Sequence, residues 1–266
     1  MCRMCTWDWQ DSAAPAFTIH LRFSYPYLMA TPIRLAKRLI ELTSCSRREA
    51  ELYIAGGWVR VDGQIVEQPQ FMVDEEQVEL HPDATLAPIV PVTILANQPT
   101  DAGWNPVDIQ KLINVDTQTA DDHSGIRPLK QHLFKLTLGL PLELTAGGLS
   151  VFSQDWHVSR KLTADAATIE QEYVVEVEGD IIENGLKQLN YGLSFNGKLL
   201  APAKVSWQSE RRLRFALKGI QPGQIKHMCL KVGLQVVAMK RLRIGRVSMG
   251  KLPSGSWRYL NTYERF

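Results

Sequence analysis

Between positions 34 and 66 the chain reads RLAKRLIELTSCSRREAELYIAGGWVRVDGQIV, and its breakers leave one local arrangement. Thr31 is placed to cap a first helix, with Pro32 in the first turn. Leu35, Leu39 and Leu42 recur at helical spacing, and Arg34, Lys37 and Arg38 lie off that stripe. After the turn Thr43–Ser44–Cys45, Ser46 and Glu49 stand three residues apart, as a reciprocal helix cap requires. The second helix carries Ala50, Tyr53 and Ile54 on one face and stops at Gly56–Gly57. Two short alternating runs then flank Asp62–Gly63, a pair that favours a tight hairpin turn. The expected unit is helix, helix, hairpin.

Charge narrows the partner. The formal net charge of +2 conceals an asymmetry, because residues 201–266 hold fourteen Lys or Arg against two acids, Glu210 and Glu264. Such a block favours a polyanion, nucleic acid first. In residues 29–85 acids outnumber bases, chiefly through VDEEQVE, so any basic face there is local. No apolar run reaches the roughly 18 residues of a membrane-spanning helix. Neither a P-loop nor a GxGxxG fingerprint occurs, and GGLS resembles a nucleophile elbow only loosely. The six histidines are scattered. Of four cysteines, Cys2 and Cys5 form one CxxC with no second pair, so no metal site is expected. Cysteine usage and the lack of a secretory pattern fit a reducing cytoplasm.

The first 28 residues show no period, residues 1–31 read as an unstructured extension, and translation is expected to begin at Met29, where periodicity starts. The module spans 32–85, a Pro- and Ala-rich linker falls at 86–91, and residues 92–266 form a larger domain. There PVTILAN, LSVFSQ, EQEYVVEVEGD, GLSFNGKLL, AKVSWQ and LRFALKG read as strands, and GQIKHMCLKVGLQVVAM as a helical stretch. Many strands with few helices predict an α+β fold with a mixed, mostly antiparallel sheet. NVDTQTADDHSG, residues 114–125, reads as a mobile polar surface loop.

The 34–66 segment resembles the S4 RNA-binding domain. That resemblance implies Arg34, Lys37, Arg38, Ser44, Arg47, Arg48 and Arg60 facing RNA phosphates, contacts that position without reading sequence. An S4 module followed by such a second domain resembles bacterial RNA pseudouridine synthases of the RsuA/RluB/RluF type. Four segments carry the likeness: ILANQPTDAG, LPLELTAGGLSVFSQD, EQEYVVEV and QPGQIKHMCLKVGLQVVAMKRLRIGRVSMGKLPSGSWRYL. The sequence departs from the family pattern at the first, where Gln98–Pro99 stands for Lys-Pro, and in the last, where Pro222–Gly223 precede Gln224. In the second, Glu143 falls where the family has its nucleophilic Asp, and Pro141 where it has Arg. The resemblance places the family's active-site tyrosine at Tyr173 and the cation that pairs with the carboxylate at Lys226.

The implied activity is isomerisation of a uridine in structured RNA, most simply ribosomal RNA, without cofactor or metal and by a monomer. Arg211, Arg212, Arg241, Arg243 and Arg246 would bind the RNA backbone. Two alternatives remain open. One is a catalytically silent RNA-binding paralogue serving ribosome assembly. The other is an enzyme whose nucleophile is a different acid, such as Asp155.

Overall fold

The computed structural model describes residues 31–100, 112–143 and 145–266. Residues 1–30 of the extension, with the start at Met29, and the end of ILANQPTDAG lie outside the described residues. In the first module, α1 (Leu35–Thr43) and α2 (Arg47–Ala55) pack on β2 (Val59–Val61). The Ser46 hydroxyl accepts from the Glu49 amide and the Glu49 carboxylate accepts from the Ser46 amide, so the expected reciprocal cap is present. Asp62 and Gly63 both take positive φ, 48° and 78°, and join β2 to β3 (Gln64–Ile65).

The start of α1 differs from expectation. Ile33–Arg34 form a short strand, β1, paired with β4 (Met72–Val73), and the helix begins at Leu35 with no side-chain cap. Thr31 and Pro32 therefore precede that strand. Leu35 and Leu39 are sealed in the core, whereas Leu42 is exposed. A fifth strand, β5 (Val78–Leu80), completes the three-stranded sheet β3-β2-β5.

The larger sheet takes the order β12-β13-β9-β14-β8-β6-β16. Its members are β6 (Thr93–Gln98), β8 (Ala146–Ser153), β9 (Glu170–Glu178), β12 (Lys204–Ser209), β13 (Arg212–Lys218), β14 (Gln235–Ile244) and β16 (Trp257–Tyr259). Short strands β7 (Thr137–Gly139) and β15 (Val247–Ser248) flank β8 and β14. Only β14 and β8 run parallel among the described pairs; the sheet is mixed and mostly antiparallel, as expected. GLSFNGKLL forms a separate hairpin, β10 (Ser194–Phe195) with β11 (Lys198–Leu199).

Every residue of β8 is buried because both of its faces are covered. On one face Leu149 and Val151 meet Leu162 of α3 (Trp156–Ala164). On the other, Phe152 meets Trp257 and Tyr259. A third cluster gathers Tyr173, Val175, Leu213 and Phe215 against Leu189 of α4 (Gly185–Asn190) and Ile225 and Met228 of α5 (Gln224–Lys231). No helix among the described residues is long and apolar enough to cross a membrane.

Two readings of this region are corrected. The stretch GQIKHMCLKVGLQVVAM is not one helix. α5 ends at Lys231, the chain turns through Val232–Gly233, and Gln235 opens the ten-residue strand β14. Val236 and Val237 are β-branched and suit a pleated surface. The 114–125 segment is pinned rather than loose. The Trp257 indole N–H donates to the Asn114 carbonyl at 2.7 Å, and the Tyr259 amide donates to the Asp122 carboxylate at 3.0 Å. Burial works to raise the Asp122 pKa, but hydrogen bonds from Tyr259 and Ser124 prevail and lower it.

The two modules meet along a seam. The Arg127 guanidinium lies 3.9 Å from the centroid of the Trp58 ring and donates to the Gly57 carbonyl at 2.8 Å. Three residues on, the Lys130 amide donates to the Glu67 carboxylate at 2.7 Å.

Candidate catalytic cleft and nucleic-acid face

The turn between β7 and β8 carries Glu143. Leu140 enters it at φ 46°, an uncommon conformation for leucine, and the Ala146 amide closes it by donating to the Glu143 carbonyl at 2.9 Å. Gly148 then passes hard against β14. Its φ is 97°, and a Cβ there would meet the backbone oxygen and nitrogen of Arg241. Only glycine fits both demands.

The Glu143 carboxylate points at the start of α5. Its Oε1 accepts from the Gly223 amide, the N-cap of that helix, at 2.8 Å. Its Oε2 is buried without a partner among the described residues. Burial pushes the Glu143 pKa above its ordinary value, against the Gly223 amide and the field of Lys226. The positive end of the helix favours the ionised form as well. Lys226 itself is exposed on α5 and acts on the carboxylate through its field alone.

A cleft of ≈ 200 Å³ is lined by Glu143, Tyr173, Gln171, Leu140 and Pro222, among others. Tyr173 and Gln171 are two apart on β9 and so share a face. Both are nearly sealed, at 2% and 4% exposure. The Tyr173 hydroxyl donates to Gln171 Oε1 at 3.2 Å. Beneath them sits Arg241 at 0% exposure. Its Nε donates to the Leu149 carbonyl at 2.8 Å, and its Nη1 to Gln171 Oε1 at 2.9 Å and to the Tyr173 hydroxyl at 3.5 Å.

The expectation that Arg241 binds RNA phosphates is thereby corrected. Sheet register places Arg241 opposite Tyr173 and Gly148, in the interior. Neither Gln171 nor the inward position of Arg241 was singled out from the sequence. The period of two along EQEY did place a polar Gln on the face of Tyr173, and that was the available signal.

The remaining expected contacts divide. Arg34, Lys37 and Arg47 line one concavity of ≈ 420 Å³ on the first module, with Arg47 also paired to Glu51. Ser44, Arg48 and Arg60 are exposed. Arg38 bends instead to the Asp74 carbonyl at 2.7 Å. On the sheet, Arg212 pairs with Glu176, and Arg243 with Glu170 and Glu172. The basic block is thus partly neutralised by the glutamates of β9. Arg211 and Arg246 are exposed and have no side-chain partner among the described residues. Asp155 caps α3, its carboxylate accepting from the His157 amide at 2.8 Å, and it does not line the Glu143 cleft.

Comparisons with known proteins agree with this architecture. Residues 33–78 match the S4 domain family. The chain is 29% identical over 236 residues to ribosomal small subunit pseudouridine synthase A of Pseudomonas aeruginosa, covering 87% of this chain and 98% of that protein. It is 26% identical over 236 residues to an uncharacterized RNA pseudouridine synthase of Aquifex aeolicus, covering 87% of this chain and 94% of that protein. A crystal structure of pseudouridylate synthase superposes with a TM-score of 0.52 at 20% identity, over 86% of this chain and 96% of that one, a likeness of fold.

Proposed function

We propose that this chain, an S4-bearing homologue of RNA pseudouridine synthases over most of its length, converts a specific uridine to pseudouridine in structured RNA, ribosomal RNA first. The observation that carries the reading is the shared cleft: a half-buried carboxylate, Glu143, opens onto the same space as Tyr173.

The reaction breaks the bond between uracil N1 and ribose C1′, turns the base and joins C1′ to C5. The C5 proton is lost and N1 gains one, so atoms balance without a cofactor. Glu143 is the nucleophile or base, and must be ionised to act. The Gly223 amide and the field of Lys226 hold it ready against the cost of burial. Tyr173 meets the extruded base and takes part in moving the C5 proton. Arg34, Lys37 and Arg47 grip RNA phosphates on the first module, and Arg211 and Arg246 do so on the second. The protein works as a cytoplasmic monomer.

Mapping pseudouridine at single-nucleotide resolution tests this in cells with the protein, without it, and with Glu143→Gln. One or a few sites should vanish in both altered strains. Persistence of every site in the deletion strain, with the purified protein still binding structured RNA, would replace catalysis by a binding role.

A further inference from the structure

The orientation of the Gln171 amide is fixed by chemistry. A guanidinium has N–H donors and no acceptor, so the group that faces Arg241 Nη1 at 2.9 Å is the amide oxygen. The Tyr173 hydroxyl donates to the same oxygen. With Oε1 doubly engaged, the NH₂ group is turned the other way. It donates to nothing among the described residues, although Gln171 is 96% buried by its 4% exposure and lines the Glu143 cleft. The nitrogen is not fully sealed, and the cleft beside Glu143 and Tyr173 is the space that Gln171 lines. Two donor hydrogens therefore face the space beside Glu143 and Tyr173.

We propose that Gln171, locked by Arg241, reads the base: its amide donates to the 4-carbonyl of uracil and rejects cytosine. The inference rests on the uridine-modifying activity proposed above. Uracil and cytosine differ at the 4-position, where one presents a carbonyl acceptor and the other an amino donor. Against cytosine the amide would set donor to donor, leaving both groups desolvated and unpaired. Arg241 acts through Gln171 and is a positioning residue. Without it the amide can rotate by half a turn and present its oxygen.

The test is titration of the full-length protein with uridine 5′-monophosphate and with cytidine 5′-monophosphate, followed by NMR of the side-chain amides. Binding needs no turnover, and the ratio of the two affinities cancels any effect on phosphate contacts. Wild type should favour the uridine nucleotide by about 10-fold, and its Gln171 amide signals should shift with that nucleotide. Gln171→Glu presents an acceptor, so the ratio should fall to one or invert. Arg241→Met keeps Gln171 but frees it, and the ratio should fall towards one; thermal melting shows that each variant is folded. Equal ratios in wild type and both variants, or no preference in wild type, would overturn the inference. A protein that discriminates between the nucleotides yet modifies no RNA would leave the base reader standing and remove the catalytic reading. One that makes pseudouridine with the ratio unmoved by either variant would do the reverse.

Discussion

The Gly223 amide, at the N-terminus of α5, donates to Oε1 of Glu143 across 80 residues of sequence at 2.8 Å. This bond places the carboxylate, and its consequences are measurable. Glu143→Gln keeps the shape and loses the charge, and should abolish pseudouridine formation. Glu143→Asp keeps the charge but withdraws the oxygens by about 1 Å, which costs roughly 100-fold in kcat. The folded-state pKa lies above the ordinary 4.5 because burial prevails. Activity that needs the anion should therefore rise with pH through a midpoint above 4.5 and level off beyond it. Lys226→Met removes one of the influences that lower the pKa, so the midpoint should move further up. Folding stability carries the opposite sign: the carboxyl's contribution is greatest below 4.5 and is lost as pH rises through the raised pKa. A pH–rate profile of the three proteins checks the set.

Gly148 should tolerate no side chain. Its φ of 97° and the Arg241 backbone against the site of a Cβ are two separate penalties. Gly148→Ala should destabilise the second domain by about 3–5 kcal/mol, a large value with a named mechanism. Melting followed by circular dichroism should fall by about 10 °C.

Local chemistry was legible in the sequence where it was self-contained. The Ser46–Glu49 cap and the Asp62–Gly63 turn depend on residues within three positions of one another, and both formed as read. Long-range pairing was not legible. Ile33–Arg34 became a strand because Met72–Val73 lies alongside. Asp122 is held by an amide 137 positions away, which no local pattern announces. Motif resemblance points to Glu143 and Tyr173, which share a cleft, and to Lys226 as the cation for Glu143, whose carboxylate feels the Lys226 charge through its field. In the sequence Arg241 is one cation of the basic block expected to bind RNA, and its burial follows from its register against Tyr173.

The seam between modules should depend on Arg127. It stacks on Trp58 and donates to Gly57, and the neighbouring Lys130 amide holds Glu67. A cation over an indole is worth about 0.5–2 kcal/mol, more when desolvated. Arg127→Ala should leave both modules folded while loosening their docking. Small-angle scattering should then report a larger radius of gyration, and limited proteolysis faster cleavage within residues 81–92. An unchanged scattering profile would show that the seam does not hold the modules together.

Asp155 separates two carboxylate assignments. As the cap of α3 it accepts from the His157 amide, and its own amide donates to the Ser153 hydroxyl at 3.0 Å. Asparagine caps about as well as aspartate, so Asp155→Asn should change neither stability nor rate appreciably. Asp155→Ala removes the acceptor and should cost about 1 kcal/mol of stability with kcat preserved. A nucleophile would behave differently: both substitutions would abolish the reaction, and Glu143→Gln would then leave it standing. Single-turnover rates of these variants on the RNA identified by mapping decide between the two acids.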